Sequence, residues 1–121
     1  MEYLFLCSMG ENRSPTAAAV AANIAREKGL KIRTSYGGID CVNPETPGIV
    51  EHFKGFDKIF VMEPYMKRDL IVNYNVDEKK TVCLNIEDDY YRHDPELVRI
   101  LENLLRVEFA FDLKNRYRAK N

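Results

Sequence analysis

Cys7 and Arg13 bracket a short polar segment, Cys7-Ser8-Met9-Gly10-Glu11-Asn12-Arg13-Ser14-Pro15. A cysteine attacks as its thiolate. An arginine guanidinium is a planar fork that matches two oxygens of a phosphate. A short apolar run, Tyr3-Leu4-Phe5-Leu6, leads into the cysteine, and an alanine-rich stretch follows the proline. That pattern predicts a thiol at the end of a strand, facing a loop that opens a helix. The first turn of a helix has unpaired N–H groups and the positive end of the helix dipole. Successive loop amides also converge into anion-binding concavities. Ser8, Met9, Gly10, Glu11, Asn12, Arg13 and Ser14 are therefore the candidate phosphate-binding residues. Such surroundings favour the thiolate, and a bound oxyanion would present its central atom to the sulfur. A free cysteine ending a strand is most often a small apolar filler. An arginine six positions on, followed by serine between a strand and a helix, sets Cys7 apart from that background.

The elements that must hold these residues alternate along the chain. Residues 2–7 read as a buried strand. Ser14 is expected as the helix N-cap and Pro15 as the first helical residue. The helix runs through Ala17, Ala18, Val20, Ala21, Ile24 and Ala25 and stops at Gly29. A second strand is expected over 31–36, ending in Gly37-Gly38. A loop with Pro44 and Pro47 precedes a short helix with Ile49, Val50 and Phe53 inward. A third strand spans 58–62, and Pro64 starts a helix with Met66, Leu70 and Ile71 inward. A fourth strand spans 81–86. Asp94-Pro95 opens the last helix, with Leu97, Ile100, Leu101, Leu104 and Leu105 on one face.

This order predicts an α/β fold: a single doubly wound domain, with a four-stranded parallel sheet and helices on both faces. The domain is expected to span 1–121, with a basic C-terminal tail from about 112 that carries Lys114, Arg116, Arg118 and Lys120 as a solvated terminus. In such sheets ligands bind beyond the carboxyl ends of the strands, where the strand order reverses. Cys7 falls at the carboxyl end of the first strand, and Asp88 and Asp89 fall just past the fourth. One rim of the sheet would bring them together.

With 121 residues and a net charge of −1, nothing global points to nucleic acid or to a membrane surface. No apolar run is long enough to span a bilayer, and the N-terminus lacks the pattern of a signal peptide. Three widely spaced cysteines, Cys7, Cys41 and Cys83, match neither a disulfide framework nor paired zinc ligands. A reducing cytoplasm is the expected location. His52 and His93 lack metal-ligand spacing and read as surface or helix-end residues.

The Cys-(x)5-Arg-Ser-Pro segment resembles the phosphate-binding loop of the low-molecular-weight protein tyrosine phosphatases. Ile86-Glu87-Asp88-Asp89-Tyr90-Tyr91 is similar to that family's loop carrying the general acid. Phe56 to Glu63 with Arg68-Asp69-Leu70 resembles its third strand and the following helix, and Ser35-Tyr36-Gly37-Gly38 the end of its second strand. The matches run in order from residue 3 to about residue 111. The resemblance implies that Cys7 attacks phosphorus to form a phosphocysteine, while Arg13 and the loop amides hold the equatorial oxygens. It implies that Asp88 protonates the leaving group and then assists water, and that Ser14 supports the departing thiolate. Glu87, Asp89 and a bound phosphate would all favour the protonated acid. No metal or other cofactor is implied. The implied partners are a tyrosine-phosphorylated protein or a small aryl phosphate, with phosphate itself as a ligand.

The chain also departs from the family. Met9-Gly10 replaces a Gly-Asn pair, and Asn12 stands where a second loop cysteine is usual. Glu11 replaces an apolar wall residue; it either favours a substrate with a basic neighbour or points to solvent. Asp89 stands where the family has proline, so the choice of acid between Asp88 and Asp89 stays open. The stretch between strands two and three is short, which puts Val42 and Asn43, with Tyr90 and Tyr91, in line for the substrate wall. Cys83 reads as core. An arsenate reductase, a phosphocarrier and a phosphate-binding module without catalysis are the alternatives. Met62-Glu63-Pro64-Tyr65 has no cysteine where the redox reaction needs one.

Overall fold

β1 (Glu2–Cys7) is buried along all but its first residue. A strand apolar on both faces needs cover on both, and the connections supply it. The structure, a computed structural model, describes residues 1–119. The elements after β1 are α1 (Arg13–Glu27), β2 (Arg33–Gly38), α2 (Ile49–Lys54), β3 (Lys58–Val61), α3 (Pro64–Asn73), β4 (Thr81–Cys83) and α4 (Pro95–Ala119). All strand pairs are parallel, in the order β2-β1-β3-β4. With right-handed crossovers, α1 and α4 share one face, where they pack together. The other connections cover the opposite face, where Phe53 of α2 meets Tyr74 at the end of α3 with ring centres 5.1 Å apart.

The core is aromatic at the amino end of the sheet. Phe5 stacks on Phe60 at 4.7 Å, and Tyr3 contacts both Phe60 and Phe109 of α4. The Tyr3 hydroxyl donates to Asp112, and Lys58 pairs with Asp112 and Glu108. Those contacts tie α4 to β1 and β3 at the end opposite Cys7. Among the described residues no helix is long and apolar enough to cross a membrane.

Several expected boundaries shift. β2 begins two residues later than expected and includes both glycines, because Gly37 and Gly38 pair with Leu6 and Cys7. β4 ends at Cys83, since Asn85 adopts φ 55° and turns the chain. The pairing with β3 still continues irregularly: Leu84 and Ile86 N–H donate to the carbonyls of Val61 and Met62, each at 2.8 Å. Cys83 is half-buried rather than core, and its thiol donates to Asn85 Oδ1 at 3.4 Å. Ile49, Val50 and Ile71 are also only half-buried. Asp94 caps α4 as expected, accepting the Glu96 N–H at 3.0 Å. The side chains of Lys114, Arg116 and Arg118, and Lys120 as a whole, lie outside the described residues.

Candidate active site

The loop after β1 owes its shape to three glycines. Gly10 takes φ 72°, a conformation that disfavours a side chain. It lies against the end of β2, where a Cβ on Gly10 would stand 2.9 Å from Gly37 C and Gly38 N. Beyond β2 the chain returns to the loop: the Asp40 N–H donates to the Ser8 carbonyl at 2.9 Å, and the Cys41 thiol reaches the Met9 carbonyl at 3.6 Å.

Cys7 is 3% exposed at the centre of this loop. Its Sγ accepts the Gly10 N–H at 3.2 Å and lies 3.1 Å from Ser14 Oγ. Ser14 is not the N-cap of α1. The helix opens one residue before it, at Arg13, with Asn12 at the cap position. The Asn12 carbonyl accepts both the N–H and the hydroxyl of Thr16, at 3.3 and 2.8 Å. Ser14 is therefore inside the first turn, fully buried, with its hydroxyl donating to the Gly37 carbonyl at 3.1 Å. A hydroxyl has a single proton. Beside a thiol, Ser14 can bond Gly37 and accept the S–H. Beside a thiolate, the same proton can turn to sulfur.

Arg13 is 1% exposed, so its charge needs partners. Nη1 donates to Glu63 Oε2 at 2.9 Å and to the Ile86 carbonyl at 2.7 Å, and Nη2 donates to Ser8 Oγ at 3.4 Å. Nε is buried with no hydrogen-bond partner among the described residues. It lies 3.5 Å from Asp88 Oδ1. The turn at Asn85 explains two of these contacts, since it aims the Ile86 carbonyl at Arg13 and carries Asp88 over the loop.

Cys7, Ser8, Met9, Glu11, Asn12, Arg13 and Asp88 line a cavity of about 60 Å³. The volume suits a small anion. Met9 and Glu11 are exposed, as is Asp88. Asp89, the alternative acid, is exposed and does not line the cavity; neither do the wall candidates. Tyr90 is half-buried against the core, and Tyr91 is 64% exposed. Val42 lines a separate cavity of about 180 Å³ with Leu4, Leu6 and Phe53. Asn43 is exposed and held in a local turn with Glu45 and Thr46.

Sequence reasoning missed Glu63, the Ile86 carbonyl and the packing role of Gly37-Gly38. Glu63 had a signal: an acid just past the carboxyl end of a strand, on the rim that carries Cys7. The paired glycines at the end of β2 were a second signal. A backbone carbonyl has none.

No family model matches the chain, and no curated protein matches it. Solved structures do. A protein tyrosine phosphatase from Entamoeba histolytica superposes with a TM-score of 0.74 at 20% identity, covering 96% of this chain and 99% of that one. A low-molecular-weight protein tyrosine phosphatase from T. tengcongensis gives 0.71 at 19% identity, covering 88% of this chain and 95% of that one. The chain has the low-molecular-weight protein tyrosine phosphatase fold. The same fold includes YwlE, described as an arginine phosphatase and solved as a mutant with a phosphorylated active-site serine. It matches with a TM-score of 0.64 at 17% identity, covering 88% of this chain and 94% of that one. Within the low-molecular-weight phosphatase fold of this chain, β1 is central. β2 lies on one side of it and β3 on the other, so the loop sits where strand order reverses.

Proposed function

We propose that the protein is a cysteine-dependent phosphomonoester hydrolase of the protein-tyrosine-phosphatase type, acting through a phosphocysteine intermediate. The observation that carries this reading is Arg13 Nε, a buried donor with no hydrogen-bond partner among the described residues, beside a cavity lined by Cys7 and Asp88. A buried unpaired donor is costly. A phosphate oxygen in the cavity would satisfy it, with the loop amides holding the other oxygens.

In the first step the Cys7 thiolate forms a bond to phosphorus as the bond to the leaving oxygen breaks. Asp88 gives its proton to that oxygen. In the second step water attacks phosphorus, Asp88 takes a proton from it, and the P–S bond breaks. The Ser14 hydroxyl, 3.1 Å away, then donates to the departing thiolate. Asp88 rather than Asp89 fills the acid role in this reading, because Asp88 alone of the two lines the cavity. An acid there favours hydrolysis over stable phosphate carriage. The substrate proposed is a phosphotyrosine protein or small aryl phosphate, met in the cytoplasm.

A second reading is hydrolysis of phosphoarginine, the activity named for YwlE. The cavity favours it in one respect: the residues lining it include no aromatic ring to flank a phenyl group.

The test is turnover of para-nitrophenyl phosphate, a phosphotyrosine peptide and a phosphoarginine peptide, with chelator present and Cys7→Ser alongside. Turnover that resists chelator and is lost in the mutant is expected. Wild-type protein with reduced Cys7 and no turnover of any of the three would overturn the reading.

A further inference from the structure

Glu11 is the ionisable side chain of the cavity that the proposed reaction does not use. It is exposed, lines the anion cavity, and has no ion pair or hydrogen bond among the described residues. The other lining charges are compensated. Arg13 meets Glu63 on one nitrogen and Asp88 near another. So the buried Arg13 guanidinium already has two carboxylates beside it before an anion arrives, and Glu11 adds a further negative charge at the opening. A carboxylate there opposes a dianionic substrate through space. It attracts any positive charge that the substrate presents beside its phosphoryl group.

We infer that Glu11 is a specificity-determining residue, selecting phosphopeptides that place a lysine or arginine next to the phosphorylated residue. The exposed position of Glu11 fits this role, since it can meet a flanking side chain while the loop amides face the phosphate. The uncompensated charge also penalises peptides with acidic flanks, so selection acts in both directions. The inference rests on the phosphatase reading for its substrate.

The experiment compares three phosphotyrosine peptides that differ only in flanking residues: arginine, glutamine or glutamate. Wild type and Glu11→Gln are assayed on each, with para-nitrophenyl phosphate as a substrate without flanks. An exposed pair contributes modestly, and exchanging attraction for repulsion enlarges the difference. The expected ratio of kcat/KM between the arginine and glutamate peptides in wild type is therefore roughly five- to twenty-fold, mainly in KM. In Glu11→Gln it should fall to within about two-fold, and in wild type it should shrink at high salt. The ratio is internal to each protein, so a change in turnover common to all peptides leaves it unaffected. An equal ratio in both proteins overturns the inference even if para-nitrophenyl phosphate is hydrolysed. If nothing is hydrolysed, the phosphatase reading fails instead. Binding of the same peptides to Cys7→Ser, with and without Glu11→Gln, then decides the charge selection by the same ratio.

Discussion

Gly38 and Met9 are packed backbone against backbone: a Cβ added to Gly38 would stand 2.5 Å from the Met9 carbonyl carbon and 2.8 Å from Gly10 N. Real side chains do not tolerate that separation, and neither neighbour is a flexible side chain that can swing away. The backbone at Gly38 is extended, at φ −115°, so the constraint is purely steric. The shape of the loop after β1 thus depends on a residue far along the chain from it.

Gly38→Ala is therefore expected to push the loop off the end of β2. Overpacking of this kind destabilises by about 1–3 kcal/mol. Turnover should fall further than stability alone would explain, because the loop donors lose their convergence. Gly55→Ala is the control, since its Cβ would meet nothing closer than His52 O at 3.4 Å. Urea unfolding beside para-nitrophenyl phosphate kinetics measures both effects. Unchanged kinetics in Gly38→Ala would mean the loop does not need this packing.

Asp88 and Asp89 separate by position. Removing a positioned general acid costs roughly 10²–10⁴-fold in rate. Asp88→Asn should lose turnover on a phosphotyrosine peptide by an amount in that range, and lose less on para-nitrophenyl phosphate, whose leaving group needs little help. Asp89→Asn should stay within about three-fold, because Asp89 lies outside the cavity and cannot reach the leaving group. A larger loss in Asp89→Asn than in Asp88→Asn would reverse the assignment.

Glu63 holds Arg13 at 2.9 Å, with Arg13 buried and Glu63 about one-third exposed. Leaving a buried charge short of a partner is costly, and partial exposure of Glu63 moderates the effect to about 1–3 kcal/mol. Glu63→Ala should lower stability by that amount and weaken phosphate or vanadate inhibition, since the guanidinium loses its orientation. Glu63→Gln retains an acceptor oxygen and should recover most of the inhibition. A vanadate affinity equal in all three proteins would show that Arg13 is positioned without Glu63.

Tyr65, at the start of α3, donates its hydroxyl to Asp40 Oδ2 at 3.3 Å. Burial first, then the charge and hydrogen bond of Asp40, push its phenol up to about 12. A raised phenol favours the neutral, protonated form in the folded protein. The contribution of this contact to stability is thus complete below the ordinary tyrosine value near ~10 and lost as pH rises through the folded value. Phenolate absorbance titrated in wild type and Tyr65→Phe should differ by one group ionising near 12. A difference that appears near ~10 instead would mean that the contact does not form in solution.

Much of the fold was legible because it is local. Tyr3 to Leu6 is an apolar run too short for a helix, Pro15 and the alanines suit a helix start, and the covalent chain fixes how far Cys7 can lie from Arg13. Alternation of apolar runs with helical stretches implied a parallel sheet, and a parallel sheet puts every strand end of one kind on the same rim. That Cys7 shares a rim with Asp88 and Asp89 followed from that alone. Other features depend on how distant segments meet. Ser14 was misread as a cap because residue type alone favours it there. Its hydroxyl turns to the sulfur and to Gly37, neither of which is visible from its neighbours in sequence. Glu63 reaches Arg13 across 50 positions, and the Ile86 carbonyl reaches it across 73. The positive φ at Asn85 and the strand order bring those groups to Arg13, and Asp88 but not Asp89 to the cavity. Side-chain types and their periodicity specify which faces are buried. The direction of a single carbonyl or carboxylate follows from the path of the packed backbone, which only the tertiary structure decides.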